Sequence, residues 1–208
     1  MRPLPCVFLL LGFLVVPLFG QDPDKNKSPY SDPKFELFTG YSYRGTRLSN
    51  PCAAFFSCLT PRRTWENAHG WGLALTYKFH NHIGVTADLG GQHGRVLGPI
   101  TPAVQPPGQP VLVPERHNFA SYQFLFGPTF SLRSGRVTEF AHTLFGGFHS
   151  AGGNPRTAFA MGYGGGVDVR LTERISVRAF QADWIPVKHG SWEHQVRFQT
   201  GVIFNFGR

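Results

Sequence analysis

Residues 70–90 read GWGLALTYKFHNHIGVTADLG, and this stretch decides the fold. Trp71, Leu73, Leu75, Tyr77 and Phe79 alternate with Gly72, Ala74, Thr76 and Lys78. After His80-Asn81-His82, the residues Ile83, Val85, Ala87 and Leu89 alternate with Gly84, Thr86, Asp88 and Gly90. A period of two is that of a β-strand, whose successive side chains point to opposite faces. Two such runs joined by a few polar residues make an antiparallel hairpin.

The same alternation extends in both directions from this hairpin. It predicts strands over 35–44, 70–79, 83–92, 118–132, 138–149, 157–170, 175–186 and 194–206. In the first, Phe35, Leu37, Tyr41 and Tyr43 oppose Glu36, Gly40, Ser42 and Arg44. In the fourth, Tyr122, Phe124, Phe126, Phe130 and Leu132 oppose Ser121, Gln123, Gly127, Thr129 and Ser131. The sixth sets Phe159, Met161, Tyr163, Val167 and Val169 against Gly162, Gly164, Gly166, Asp168 and Arg170. The last sets Val196, Phe198, Val202, Phe204 and Phe206 against Arg197, Gln199, Gly201 and Asn205.

Two strands break the pattern. In 138–149, Phe140, Leu144 and Phe148 share a face but Phe145 takes the other, so the facing is ambiguous. In 175–186 the apolar phase moves from Ile175, Val177 and Ala179 to Phe180, Ala182 and Trp184. A change of phase within one strand predicts a β-bulge near 179–180. Pro128 lies inside a strand and removes one ladder donor, which calls for a bulge or a water beside it.

Short connections (80–82, 133–136 and 171–174) alternate with longer ones (45–69, 93–117, 150–156 and 187–193). That is the pattern of a membrane barrel with tight periplasmic turns and larger extracellular loops, both termini lying on the periplasmic side. Phe35, Tyr77, Phe79, Phe130, Phe204 and Phe206 then belong to one rim, and Tyr43, Trp71, Tyr122, Phe159 and Trp184 to the other. Aromatic belts of this kind sit at headgroup level. A soluble barrel would turn the large apolar face inward. An eight-stranded lumen is just wide enough for ordinary side chains, and the chain has 20 phenylalanines to place. The expectation is therefore an all-β, eight-stranded antiparallel up-and-down transmembrane β-barrel, greasy outside and polar within.

Composition agrees. At 208 residues the chain has a one-domain length. Charged residues are only 15%, against 41% hydrophobic, which excludes a disordered polyelectrolyte. The net charge of +8 comes from scattered side chains. Such a balance fits nucleic acid, an anionic lipid surface or nothing specific; without an aromatic–basic cluster the membrane surface is preferred over nucleic acid.

Met1-Arg2 precedes an apolar run from Val7 to Phe19, broken by Gly12 and Pro17. It is too short for a spanning helix of about 20 residues but suits a signal-peptide core. Residues 1–20 are expected to be a signal peptide cut near Gly20/Gln21, 21–34 a periplasmic lead-in and 35–208 the barrel domain. Beyond the leader no stretch is long and apolar enough for a membrane helix. Cys6 belongs to the leader, before its apolar core, and does not look like an acylation site. Cys52 and Cys58 remain; in an exported chain such a pair reads as a disulfide, the alternatives being two thiols or half of a metal site.

At this point the sequence resembles the outer-membrane β-barrel family that includes the OmpA-like and OmpX-like eight-stranded domains. The resemblance rests on Phe38-Thr39-Gly40-Tyr41-Ser42-Tyr43, Phe126-Gly127-Pro128 and Gly162-Tyr163-Gly164-Gly165-Gly166-Val167-Asp168. Further along it rests on Arg178 with Gln181, Asp183-Trp184 and the closing Val202-Ile203-Phe204-Asn205-Phe206. It covers roughly residues 35–208. The resemblance implies a small, side-chain-filled barrel acting as a structural protein, adhesin or surface-loop binder in the bacterial outer membrane. Residues 35–208 contain no peptidoglycan-binding domain, so cell-wall tethering is not carried over as an expectation, and Phe206-Gly207-Arg208 stands where such barrels often finish on an aromatic residue.

If the glycine-rich face points inward, Asp88, Asp168 and Asp183 share the lumen with Arg170, Arg178 and Arg197, together with Glu36. Buried charges must pair, so the expectation is an ion-pair network that fills the barrel; the competing reading is a gated pore. His69, His93, His117, His149, His189 and His194 gather toward the outer rim, but no HExxH or CxxC motif accompanies them, and no metal or cofactor is expected. Ser150, His149 and Glu139, or His194 with Glu193, supply the elements of a catalytic set without a nucleophile motif. A non-enzymatic barrel is therefore preferred, with a lipid-modifying barrel enzyme and a soluble periplasmic lipocalin-like binder as the alternatives. The loop carrying Arg47, Arg62 and Arg63 and the proline-rich loop at 99–114 are the candidates for contacts outside the cell. Basic groups there match lipopolysaccharide phosphates. The expected partners are outer-membrane lipid, lipopolysaccharide and the barrel assembly machinery.

Overall fold

The computed structural model describes residues 33–49, 63–97, 101–103, 111–113, 116–151 and 155–207. The strands are β1 (Phe35–Ser49), β2 (Arg63–His80), β3 (Ile83–Leu97), β4 (Thr101–Ala103), β5 (Val111–Val113), β6 (Arg116–Ser134), β7 (Val137–Ala151), β8 (Arg156–Arg170), β9 (Ile175–His189) and β10 (Ser191–Phe206). Eight of them close a barrel in the order β1-β10-β9-β8-β7-β6-β3-β2. Every ladder in it is antiparallel. The closing seam runs from Phe35↔Phe206 to Thr46↔Gln195 without a break, so the barrel has no unpaired edge. No helix among the described residues is long and apolar enough to cross a membrane.

The long-loop rim differs from expectation. Strands continue through much of what the polar composition marks as connection. The segment at 187–193 is a hairpin turning at Gly190, with His189 paired to Ser191. Gly190 has φ of 79°, a left-handed conformation that side chains resist. The 150–156 connection shortens too, since β7 runs to Ala151 and β8 starts at Arg156. Cross-strand pairing tolerates polar residues where both faces meet water, so composition misplaces those strand ends. Within 98–115 the small β4–β5 hairpin pairs Thr101–Ala103 with Val111–Val113.

Facing follows the alternation over most of the wall. Tyr41, Trp71, Leu75, Tyr122, Phe124, Phe126, Phe130, Phe159, Phe180 and Phe198 are exposed on the outside. Gln92, Ser121, Gln123, Asp168, Arg178, Asp183 and Arg197 are buried inside. The structure settles β7: Leu144 and Phe148 are buried in the lumen and Phe145 is exposed.

The simple division of greasy outside from polar inside therefore needs correction. Leu125, Leu144, Phe148, Ala158, Ala160, Ile185 and Val187 form an apolar cluster within the barrel. Phe38, Ala74 and Ile203 form a second. A lumen this narrow is filled by side chains, and on these strands aliphatic and aromatic groups fill it without needing hydrogen-bond partners.

The bulge lies where the change of phase puts it. Phe180 pairs with Val167 and Arg178 with Asp168, leaving Ala179 as the extra residue. Pro128 is different. The β6–β7 ladder skips Gly127 and Pro128 and resumes in the same register at Thr129↔His142, without a bulge. On its other side Pro128 stays paired with Val85. Its ring points outward, and the lost donor costs one rung but no register.

Candidate functional site

The lumen gathers the charged side chains of six strands, β1, β2, β3, β8, β9 and β10. Alternation on β3 turns Asp88 inward, and that on β10 turns Arg197 inward. Arg197 is completely buried and grips Asp88 with Nη1 at 2.6 Å and Nη2 at 3.1 Å. Its Nε donates to Asp183 Oδ2 at 2.8 Å. One guanidinium thus links β3, β9 and β10 across the lumen. Asp183 also accepts from Gln181 at 2.7 Å and meets His142 Nε2 at 2.9 Å. Bidentate, charge-assisted contacts of this kind are the strong hydrogen bonds of protein interiors.

A second unit stands beside the first. Arg178 Nε and Nη2 donate to the two carboxylate oxygens of Asp168, at 2.8 and 3.0 Å. Its Nη1 donates to Gln181 Oε1 at 2.6 Å. The guanidinium lies between two rings, 4.5 Å from the centroid of Phe38 and 4.2 Å from that of Phe140. Gln181 touches both units, so they form one network. The Ala179 bulge is what allows this. It places Arg178 and Gln181 on the same face three residues apart, which an unbroken period of two forbids.

Nearer the rim where β1 starts and β10 ends, Lys78 pairs with Glu36 at 2.6 Å. Thr86 bonds both Thr76 and Thr129, at 2.8 and 2.6 Å. A cavity of about 20 Å³ lies here, bordered by Glu36, Lys78, Asp88, His142, Asp168 and Arg178. That is room for about one water molecule. Arg170 is inward and buried, but its guanidinium donates to the carbonyls of Thr172 and Glu173 at 3.2 and 2.7 Å. These bonds tie down the 171–174 turn at the rim.

His142 is the lumen residue that sequence reasoning misses. Phe145 obscures the facing of β7; once Thr138, Leu144 and Phe148 are assigned inward, His142 follows by parity. Other described histidines lie away from the network. His69 bonds Tyr41, His149 Nδ1 meets Thr157 at 2.9 Å, and His194 stacks on Trp184 with centroids 5.4 Å apart. Among the described residues no group of three or more His, Cys, Asp or Glu is placed to hold a metal ion. The elements of the catalytic set are not assembled: His149 is bonded to Thr157, and Glu139 lies ten residues away along the same strand, at the opposite end.

Residues 1–20, Cys52, Cys58 and Arg62 lie outside the described residues. Arg47 and Arg63 belong to the far ends of β1 and β2, where Arg47 is opposite Trp65 and Arg63 opposite Ser49.

No family model matches the sequence, and no curated protein matches it. Solved structures do. Ail, the attachment invasion locus protein of Yersinia pestis, is 15% identical with a TM-score of 0.50, over 85% of this chain and 100% of that one. Neisserial surface protein A is 12% identical with a TM-score of 0.52, over 83% of this chain and 97% of that one. The outer membrane protein OprG of Pseudomonas aeruginosa is 10% identical with a TM-score of 0.58, over 86% of this chain and 98% of that one. At these identities the likeness is one of fold.

Proposed function

We propose that this chain is an integral protein of the bacterial outer membrane with a structural or surface-loop binding role, non-enzymatic and without an open pore. The observation that carries the reading is the inverted sidedness of the wall. Phe79, Phe126, Phe180 and Phe206 are each more than half exposed, while Asp88, Asp183 and Arg197 are at most 2% exposed. In water such a surface would aggregate. In a bilayer it is the solvated face, and a closed barrel pairs its backbone groups from strand to strand with no open edge.

The start of β1 and the end of β10 lie on one rim, where Phe35 pairs with Phe206, and we place that rim in the periplasm. The leader at 1–20 would export the chain, and the barrel assembly machinery would insert it. Cys52 and Cys58 would close a disulfide in the first surface loop. Arg47, Arg62 and Arg63 would meet lipopolysaccharide phosphates around that loop. The absence of a pore is supported by the lumen filling: Arg197 and Arg178 bridge it, and the cavity beside them admits about one water.

The test is cell fractionation followed by electrophoresis of unboiled and boiled samples. The protein is expected in the outer-membrane fraction, with a mobility that changes on boiling. A soluble periplasmic protein with one mobility would overturn the reading. For the basic loop, lipopolysaccharide binding unchanged in the triple Arg47→Gln, Arg62→Gln, Arg63→Gln variant would remove that contact.

A further inference from the structure

The turn between β2 and β3, His80-Asn81-His82, carries two imidazoles that the lumen network does not use. The β2–β3 register shifts between Lys78 and His80, so that Phe79 is an extra residue and His80 stands opposite Ile83. Residues directly opposite in an antiparallel ladder share a face. Ile83 is in turn opposite Phe130, and His82 lies against the Phe130 ring with centroids 6.2 Å apart. Both imidazoles therefore stand on the same side of the turn. Their own centroids are 6.1 Å apart, with the planes at 49°. Both residues are exposed.

His82 is held in one tautomer. Its Nδ1 lies 3.1 Å from the carbonyl oxygen of Ser131. A carbonyl only accepts, so Nδ1 carries the proton, and in the neutral ring Nε2 keeps its lone pair. Metal-ligating histidines are arranged in this way, the second ring nitrogen donating to a carbonyl or carboxylate. Ser131 N also donates to the His82 carbonyl at 2.8 Å, so the residue is anchored through both backbone and ring. His80 has no such tie: among the described residues its side chain makes no hydrogen bond or ion pair. Two imidazoles that share an ion, each nitrogen about 2.0–2.1 Å from it, hold their centroids roughly 4.5–5.5 Å apart at octahedral or tetrahedral angles. The observed spacing is slightly wider, and a side-chain rotation of the exposed His80 closes it. Among the described residues no carboxylate or thiolate joins the pair. Neutral nitrogen donors do not suit calcium or magnesium, which take oxygens. They suit Cu(II), Ni(II) and Zn(II), with Cu(II) the tightest in the usual order.

We propose that the His80-Asn81-His82 turn is a surface site for a divalent transition-metal ion. His82 Nε2 and a ring nitrogen of His80 are its two protein ligands, and water completes the coordination sphere. His82 is the fixed ligand and His80 the one that swings in. The proposal goes beyond the membrane reading, under which this turn faces the periplasm, and does not depend on it. The β2–β3 ladder also sets His69 opposite His93. That pair lacks the carbonyl tie: His69 Nδ1 meets the Tyr41 hydroxyl.

The experiment titrates the folded full-length protein, purified without a histidine tag, with Cu(II) and with Zn(II) by calorimetry, and records the electron paramagnetic resonance spectrum of the Cu(II) form. The parent is expected to bind Cu(II) more tightly than Zn(II), with nitrogen couplings from two imidazoles. His80→Gln and His82→Gln are each expected to lower the Cu(II) affinity by about tenfold or more, at least the cost of losing an outer-shell partner. Each should also remove one imidazole from the spectrum. The double variant His69→Gln, His93→Gln serves as the control and is expected to bind as the parent does. No binding by the parent, affinity unchanged in His80→Gln and His82→Gln, or an equal loss in the control overturns the proposal. Both test positions are exposed turn residues, and boiling-dependent mobility checks that each variant is folded. If the parent lacks that mobility shift and fractionates as a soluble protein, the membrane reading fails and the same titration is run in buffer. If the shift is present and Cu(II) binding is indifferent to His80 and His82, this inference alone fails.

Discussion

Arg197 and Asp88 are 109 residues apart in sequence and share two hydrogen bonds, 2.6 and 3.1 Å long, in the middle of the barrel. With Asp183 on its other edge, Arg197 is one cation serving two buried carboxylates. Removing it leaves both with inadequate compensation. Arg197→Ala is expected to destabilise the barrel by about 3–5 kcal/mol, the usual cost of breaking a buried pair from one side. Urea unfolding in phospholipid bilayers measures this. A loss under about 1 kcal/mol would mean that the pair is solvated, contrary to its burial.

Arg178 is held differently, by the carboxylate of Asp168 in its plane and by the rings of Phe38 and Phe140 above and below. A lysine keeps the charge but has neither the fork nor the flat face. Arg178→Lys is expected to cost about 2–3 kcal/mol, as charge-assisted bonds and ring contacts are lost together. Asp168→Ala is expected to lower the thermal midpoint in detergent by leaving that guanidinium without its acid. Unchanged melting in both variants would refute the role given to the pair.

Adjacent residues on β7 test the sidedness. Leu144 is fully buried in the interior cluster, whereas Phe145 is 43% exposed on the outer wall. Leu144→Ala opens a cavity and should cost about 2–5 kcal/mol. Phe145→Ala exposes the same wall to lipid and should cost less. Phe145→Arg places a cation on the lipid face, with an expected penalty of about 2–4 kcal/mol near mid-bilayer. If Leu144→Ala were the milder of the two alanine variants, the assignment of β7 would be reversed.

How much of this was legible in sequence depends on what each strand must satisfy. The hairpin at 70–90 is easily read because one face is large and apolar and the other small or polar. The bulge at Ala179 is legible because Arg178 and Gln181 must both face inward. The apolar interior cluster is not, since Leu125, Ile185 and Val187 sit beside outward aromatics and the alternation there contrasts one apolar face with another. His142 is hidden for the same reason. The ion partners of Arg170 are equally beyond sequence: parity gives its face but not its height, and height decides that it meets turn carbonyls.

Gln199 offers a prediction of the opposite sign. Its side chain is buried and packs over Gly72, where a Cβ would collide with the amide. Neither amide atom has a hydrogen-bond partner among the described residues. Gln199→Met keeps the length and removes the polar atoms, so it is expected to be neutral or to stabilise by about 1 kcal/mol. A clear loss of stability in the same bilayer unfolding assay would show that the amide is engaged.

At the end of β9, Trp184-Ile185-Pro186-Val187 presents oily side chains alternately to lipid and to the lumen filling. A strand oily on both sides has little to lose by sliding one residue along its neighbours. The supernumerary Ala179 acts as a detent against that slide, because Arg178 and Asp183 reach their partners only when the notch is seated. Deleting Ala179 would turn one half of the strand inside out, sending either Arg178 or Asp183 toward the acyl chains. One of the strand's two alanines, its smallest side chains, is thus the one that sets its phase.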